Sequence, residues 1–236
     1  MELPNRFTLA DVARKGRNTV RNVYHALYRR VRRPLSGEYN PYNYTLPDRY
    51  PWLFSFAATQ IGPRQNLRIL SFGCSRGDEV FSLRKYFPTA AIKGIDINPR
   101  NIAHGQARLR ADEATGIEFA TAATTQGEST GSYDAIFCLA VLCNGELTMS
   151  GAERCDPLLR FERFDWLVGD FARCLKPRGL LVLHTTSFRF CDTAVAPDFD
   201  VVLEAEPAQL SPGGQFDRNN RFMSGMRYRS VAFQKR

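Results

Sequence analysis

The spacing of apolar residues changes character along the chain, and the changes predict its elements. Over residues 7–33, Leu9, Val12, Val20, Val23, Leu27 and Val31 recur at three- and four-residue steps, with a gap at Gly16. Most arginines fall between them, which predicts an amphipathic helix that Pro34 stops. The next stretch, Tyr39 to Trp52, is aromatic and interrupted by Pro41, Pro47 and Pro51, so it reads as a connector. A short helix is expected over residues 53–60.

From residue 67 the signals alternate. Short apolar runs at 67–72, 91–95, 117–122, 135–139 and 180–184 predict strands. Residues 79–87, 99–113 and 161–175 read as helices between them. Pro99 opens the second of these helices, where its missing N–H costs nothing. Apolar runs alternating with helices indicate a parallel sheet buried on both faces. Residues 200–203 and 227–233, separated by a loop holding Pro212-Gly213-Gly214, suggest a closing antiparallel pair. The expected fold is therefore α/β: a Rossmann-like, doubly wound, mostly parallel sheet with a C-terminal antiparallel hairpin, preceded by a basic N-terminal helix. The expected division is a helix and aromatic cap over 1–60, and a ligand-binding domain over 61–236.

Charge sharpens this division. The 236 residues carry a net charge of +8, yet residues 1–33 hold nine Lys and Arg against Glu2 and Asp11. That segment is therefore +7, and the remaining body is close to neutral. The basic helix is expected either to contact an anionic surface, membrane or nucleic acid, or to serve as structural cover with a solvated arginine face. No run is long and apolar enough for a transmembrane helix, and the N-terminus lacks the apolar stretch of a secretory signal. Six cysteines without a C-x-x-C pair, and three scattered histidines, offer no zinc spacing. They point to reduced thiols and a cytoplasmic protein.

The chemistry concentrates in Gly73-Cys74-Ser75-Arg76-Gly77-Asp78-Glu79, between the first strand and its helix. Ligands of doubly wound sheets bind beyond the carboxyl ends of the strands, and glycines there let backbone approach them closely. Asp96, nineteen residues after Gly77 at the end of the second strand, is placed to accept the ribose hydroxyls of an adenosine-containing cofactor. The turn lacks the third glycine of a dinucleotide fingerprint, and Asp78 and Glu79 open the following helix. Phosphate there would meet two like charges, whereas a cationic amino group would be favoured. S-adenosylmethionine has adenosine, an amino group and no phosphate. A serine-hydrolase elbow also matches the string Gly73-x-Ser75-x-Gly77, but an elbow after the first strand lacks the preceding strands that supply an oxyanion loop.

These residues resemble class I S-adenosylmethionine-dependent methyltransferases over roughly 65–236. The likeness rests on the turn, on Asp96 and on Leu175-Lys176-Pro177-Arg178-Gly179-Leu180 entering the fifth strand. Within the class, the segment Ser71 to Ser82, Asp134 to Cys138 and His184 are most similar to chemotaxis-receptor methyltransferases. The chain differs from them at Leu139-Ala140-Val141 and at Thr185-Thr186-Ser187-Phe188. The resemblance implies that Gly73, Cys74, Ser75 and Gly77 wrap the methionine moiety and that Asp78 or Glu79 takes its amino group. It further implies Asp96 on the ribose, Ile97 with Thr121 or Ala122 around the adenine, and Cys138, Leu139 and Ala140 behind the methyl. Arg49 is a candidate grip for the carboxylate, or else a surface residue.

Transfer from a sulfonium is an in-line displacement that gains most from holding the acceptor in a dry pocket. S-adenosylhomocysteine is the expected product. His184 is the one histidine placed to act as catalytic base, with a structural role as its alternative. Tyr42, Tyr44, Tyr50 and Trp52 are candidates for a lid or for packing. The expected acceptor is an O or N atom on a small molecule. The alternatives are protein or RNA docked through the basic arm, or an NAD(P)-binding oxidoreductase.

Overall fold

A computed structural model describes residues 37–236, except Pro157, Ser211 and Pro212 and the side chains of Thr148 and Met149. The predicted helix over 7–33 lies outside the described residues. Gly37–Arg236 forms one compact unit.

The elements are α1 (Pro51–Ile61), β1 (Arg68–Phe72), α2 (Asp78–Tyr86), β2 (Ala91–Asp96), α3 (Pro99–Ala111), β3 (Ile117–Thr121), β4 (Tyr133–Leu139), α4 (Gly145–Ser150), α5 (Phe161–Cys174), β5 (Leu175–His184), β6 (Phe199–Glu204) and β7 (Ser230–Lys235). The seven strands lie in the order β3-β2-β1-β4-β5-β7-β6. The pairs β1–β2, β1–β4, β2–β3 and β4–β5 are parallel, and β7 runs antiparallel to both β5 and β6. The strand order reverses between β1 and β4. The crevice above that reversal is where a sheet of this kind binds ligand.

Alternation explains why the central strands carry apolar residues toward both faces. Leu70 and Phe72 of β1, Ile136 and Cys138 of β4, and Leu181 and Leu183 of β5 belong to one buried cluster with α5. Ile69, Ala135, Phe137, Leu180 and Val182 face the opposite cluster, which includes Leu53, Phe54 and Ala57 of α1 and Val80 and Leu83 of α2. On α5, Phe161, Phe164, Val168 and Phe171 form the buried stripe, and the Phe171 ring meets Phe72 edge-on at 4.9 Å between centroids.

β5, α4 and β7 depart most from the expectations. β5 begins at Leu175 because its pairing with β4 jumps from Tyr133↔Leu175 to Ala135↔Leu180, with Lys176–Gly179 bulging between. Arg178 sits in that bulge with φ 62°. α4 is an added element, started by Asn144, whose Oδ1 accepts from the Glu146 N–H at 2.9 Å. The last strand starts at Ser230 rather than Arg227. All six cysteines are free thiols. Among the described residues no helix is long and apolar enough to cross a membrane.

Candidate functional site

The central strands β1, β4 and β5 each lead into a non-glycine residue in the left-handed region: Ser75 (φ 51°), Ala140 (φ 58°) and Thr185 (φ 56°). Such backbone is costly and persists where surrounding contacts hold it. Here the three turns line the crevice at the carboxyl end of the sheet.

The glycine turn is locked to β2. The N–H groups of Gly73 and Cys74 both donate to the Ile95 carbonyl, at 2.8 and 3.0 Å. Gly73 has φ 72°, and a Cβ there would lie 2.4 Å from Val141 Cγ2, so the turn packs against the chain leaving β4. Gly77 has φ 93° and caps α2, where a Cβ would come within 2.7 Å of Phe119. Cys74 is buried with its thiol against the Gly94 backbone, and burial pushes that thiol well above its ordinary pKa. It therefore contributes packing and backbone rather than a reactive sulfur.

Asp96 is the hub of the crevice. It is 8% exposed and accepts three hydrogen bonds: Ser75 N–H at 2.9 Å, Asn98 N–H at 2.8 Å and Asn101 Nδ2 at 3.0 Å. Asn98 also starts α3, accepting from the Arg100 N–H. The next-strand residues sit beside it: Thr121 pairs with Asp96 across the ladder and is exposed, and the Ala122 N–H donates to the Asp96 carbonyl. Ile97 is half-buried and faces Gly37.

The two acids at the start of α2 have separate fates. Asp78 forms an ion pair with Arg108 of α3 at 2.9 Å, and the Arg108 guanidinium lies over the Phe81 ring. Glu79 keeps some accessible surface, but the protein massed around its carboxyl removes most of its hydration. That desolvation raises its pKa to about 7, against the lowering effects of a hydrogen bond from Ser71 Oγ (2.7 Å) and of the Arg49 charge.

Arg49 is exposed, donates to the Tyr44 carbonyl and stacks over the Tyr44 and Tyr50 rings. Its charge is felt at Glu79, Cys143 and His184, which places the guanidinium at the mouth of the same crevice.

The connector crosses this crevice as a strap. Tyr39 donates to the Arg163 carbonyl and Asn40 Nδ2 to the Ala140 carbonyl at 2.8 Å. Asn43 exchanges hydrogen bonds with Asn101 and accepts from Ser75 Oγ. Tyr42 is buried, and its hydroxyl donates to Glu146. Tyr44 stays exposed. Tyr50 and Trp52 meet the His184 ring edge-on, with centroids 4.9 and 5.7 Å away. Of the residues expected behind the pocket, Cys138 and Leu139 are buried in the core, and Ala140 is the one at the crevice surface.

His184 ends β5 with both ring nitrogens engaged. Nε2 lies 2.9 Å from the Gln209 carbonyl, which can only accept, so Nε2 carries the proton. Nδ1 then accepts from Thr185 Oγ1 at 2.9 Å. Burial lowers the His184 pKa, opposed by the Gln209 hydrogen bond and aided by Arg49, so the ring is neutral. In this arrangement neither ring nitrogen presents a free lone pair. The hydrolase elbow also lacks its relay: the Ser75 hydroxyl bonds to Asn43, and His184 to Gln209 and Thr185.

Sequence reasoning missed Asn43, Asn101, Ser71 and Thr185. Asn101 could have been found three residues into a helix that starts beside Asp96. Asn43, in an aromatic connector broken by prolines, carried no comparable signal.

Residues 70–181 match the protein-family model described as Methyltransferase domain. The match runs from β1 into β5 and so contains the turn, Asp96 and Glu79. No curated protein matches the chain. Among solved structures, the YcgJ protein of Bacillus subtilis is 15% identical with a TM-score of 0.44, over 57% of this chain and 50% of that one. Phosphoethanolamine N-methyltransferase 2 of Haemonchus contortus, in complex with S-adenosyl-L-methionine, is 18% identical with a TM-score of 0.44, over 60% and 29%. PKMT2 of Rickettsia typhi is 18% identical with a TM-score of 0.43, over 60% and 25%. The chain thus spans half or less of the length of each of these proteins.

Proposed function

We propose that this protein is an S-adenosylmethionine-dependent methyltransferase acting on an O or N atom of a small molecule. The observation that carries the reading is the buried Glu79 carboxyl, held by Ser71 where α2 starts beside the turn at 73–77. A pyrophosphate would there meet a desolvated acid, while an ammonium group would gain a charge-assisted hydrogen bond. This disfavours the NAD(P) alternative. The match of residues 70–181 to a methyltransferase-domain family model supports the same reading.

The crevice residues fit the cofactor chemically. Asp96 has about four acceptor positions and uses three, leaving room for a ribose hydroxyl, and Asn101 and Asn43 can shift to donate alongside it. Glu79 would take the amino group, Arg49 the carboxylate, and Ile97, Thr121 and Ala122 would flank the adenine. Gly73, Cys74, Ser75 and Gly77 would supply close backbone, and Ala140 would line the pocket behind the methyl. Asp78, paired with Arg108, is a brace for α3.

When bound, the cofactor supplies an activated methyl group. The chain's own part is to orient the acceptor and exclude water. The strap of residues 37–50 closes the crevice from above. His184 acts as a positioning residue, fixing the Thr185 hydroxyl. Calorimetry tests the reading: S-adenosylmethionine and S-adenosylhomocysteine should bind, and NAD(H) and NADP(H) should not. The reverse result would overturn it.

A further inference from the structure

The strap over the crevice is held unevenly along its length. Its first part is clamped to the body. Arg163 lies over the Tyr39 ring at 4.2 Å and donates to the Gly37 carbonyl, and the Tyr39 hydroxyl donates to the Arg163 carbonyl at 2.9 Å. Tyr42 is buried with its ring beside Gly145. The far end is clamped too: the Asp48 N–H donates to Ser82 Oγ at 2.9 Å, and the Asp48 carboxylate pairs with Lys85. Between these clamps Tyr44, Leu46 and Pro47 are exposed.

Among the described residues, Asn43 is the side chain whose hydrogen bonds tie this stretch to the body. It accepts from Ser75 Oγ and from Asn101 Nδ2 (2.9 Å), and it donates to Asn101 Oδ1 at 2.6 Å. The contact of Arg49 with the Tyr44 carbonyl and ring lies within the strap itself. Ser75 and Asn101 are also two of the three donors to Asp96, the acid placed to hold the ribose. One cluster of hydrogen bonds therefore joins the strap to the wall that the cofactor has to reach. Asp48, with φ 49°, makes a left-handed corner at the edge of the exposed stretch, where a swing of the backbone would relieve strain.

We propose that residues 43–47 form a gate on the cofactor crevice and that Asn43 is its latch. The side chain lets go of Ser75 and Asn101 for the cofactor to enter or leave, and the gate closes over the empty and the occupied crevice alike. This rests on the methyltransferase reading. A gate differs from a simple contact in its kinetics. A side chain that only touches bound ligand changes the departure rate, and one that only blocks the site changes the arrival rate. A latch sets how much of the time the crevice is open, so it slows both.

The test is the association and dissociation rates of S-adenosylhomocysteine on the full chain, read by surface plasmon resonance. Asn43→Ala should raise both rates about fivefold or more, the effect of losing about one net hydrogen bond. Asn43→Asp keeps the shape but turns the donor facing Asn101 Oδ1 into an acceptor, and it should raise both rates as well. Thr45→Ala, within the gate but away from the latch, should leave both rates as in the wild type. Faster departure with unchanged arrival would make Asn43 a ligand contact, and faster arrival with unchanged departure a blocking residue. Either result, or no change in either rate, would overturn the proposal. Failure of S-adenosylhomocysteine to bind the wild-type chain would instead overturn the underlying methyltransferase reading.

Discussion

Ser71 Oγ donates a 2.7 Å hydrogen bond to Glu79 Oε1, linking the carboxyl end of the first strand to the second residue of the helix that follows the turn. The bond fixes a carboxyl whose pKa burial has raised to about 7, so it ionises around neutral pH. If Glu79 takes the cofactor's amino group, binding needs its carboxylate form. Affinity for S-adenosylhomocysteine should then rise with pH, by about tenfold between pH 6 and 8. Glu79→Gln should bind weakly and with a flat profile, as measured by calorimetry across that range.

The same raised pKa acts on folding in the opposite direction. The folded chain holds the Glu79 proton more tightly than the unfolded chain, so Glu79 costs stability as pH rises from about 4.5 toward 7. Over that interval Glu79→Gln should gain thermal stability relative to the wild type.

Asp96 receives three donors within a buried crevice. Asp96→Ala should strand those N–H groups and cost about 3 kcal/mol of stability, read by urea denaturation, with cofactor binding lost. Asp96→Asn should keep the shape but turn one acceptor into a donor facing other donors, and should fail almost as badly.

Gly73 combines a left-handed φ of 72° with a Cβ position 2.4 Å from Val141. Gly73→Ala should therefore destabilise by about 3 kcal/mol. Adding Val141→Ala removes the two closest contacts and leaves only Val141 Cβ, at 3.2 Å, so the double variant should recover about half of that loss and leave mainly the backbone part.

His184 is neutral in the folded chain because burial lowers its pKa below the ordinary value of 6.5. As pH falls through about 6.5 the unfolded chain takes up a proton that the folded ring refuses, so this group's contribution to stability is lost on acidification. His184→Gln should show a smaller drop in Tm between about pH 7.5 and 5 than the wild type.

The sheet was legible because its strands are buried on both faces and its helices on one, which leaves unmistakable apolar runs and stripes. The turn and Asp96 were legible because ligand-facing backbone demands glycine and a strand-end acid has few other uses. What escaped was set by contacts distant in sequence. Nothing near Asn43 announces that it will meet Ser75 and Asn101, and nothing near His184 announces the Gln209 carbonyl twenty-five residues later. α4 was hidden because a six-residue helix carries too little periodicity to read.

The insertion of β7 between β5 and β6 bears on how the chain is made. When a ribosome has released the first six strands, β6 has no neighbour to pair with and β5 presents a bare edge. The loop between β6 and β7 is anchored at both ends only when Ser230–Lys235 slots into place. A nascent chain can therefore pair its five parallel strands during synthesis but fills both cores last, because Val231, Ala232 and Phe233 of β7 are buried in them.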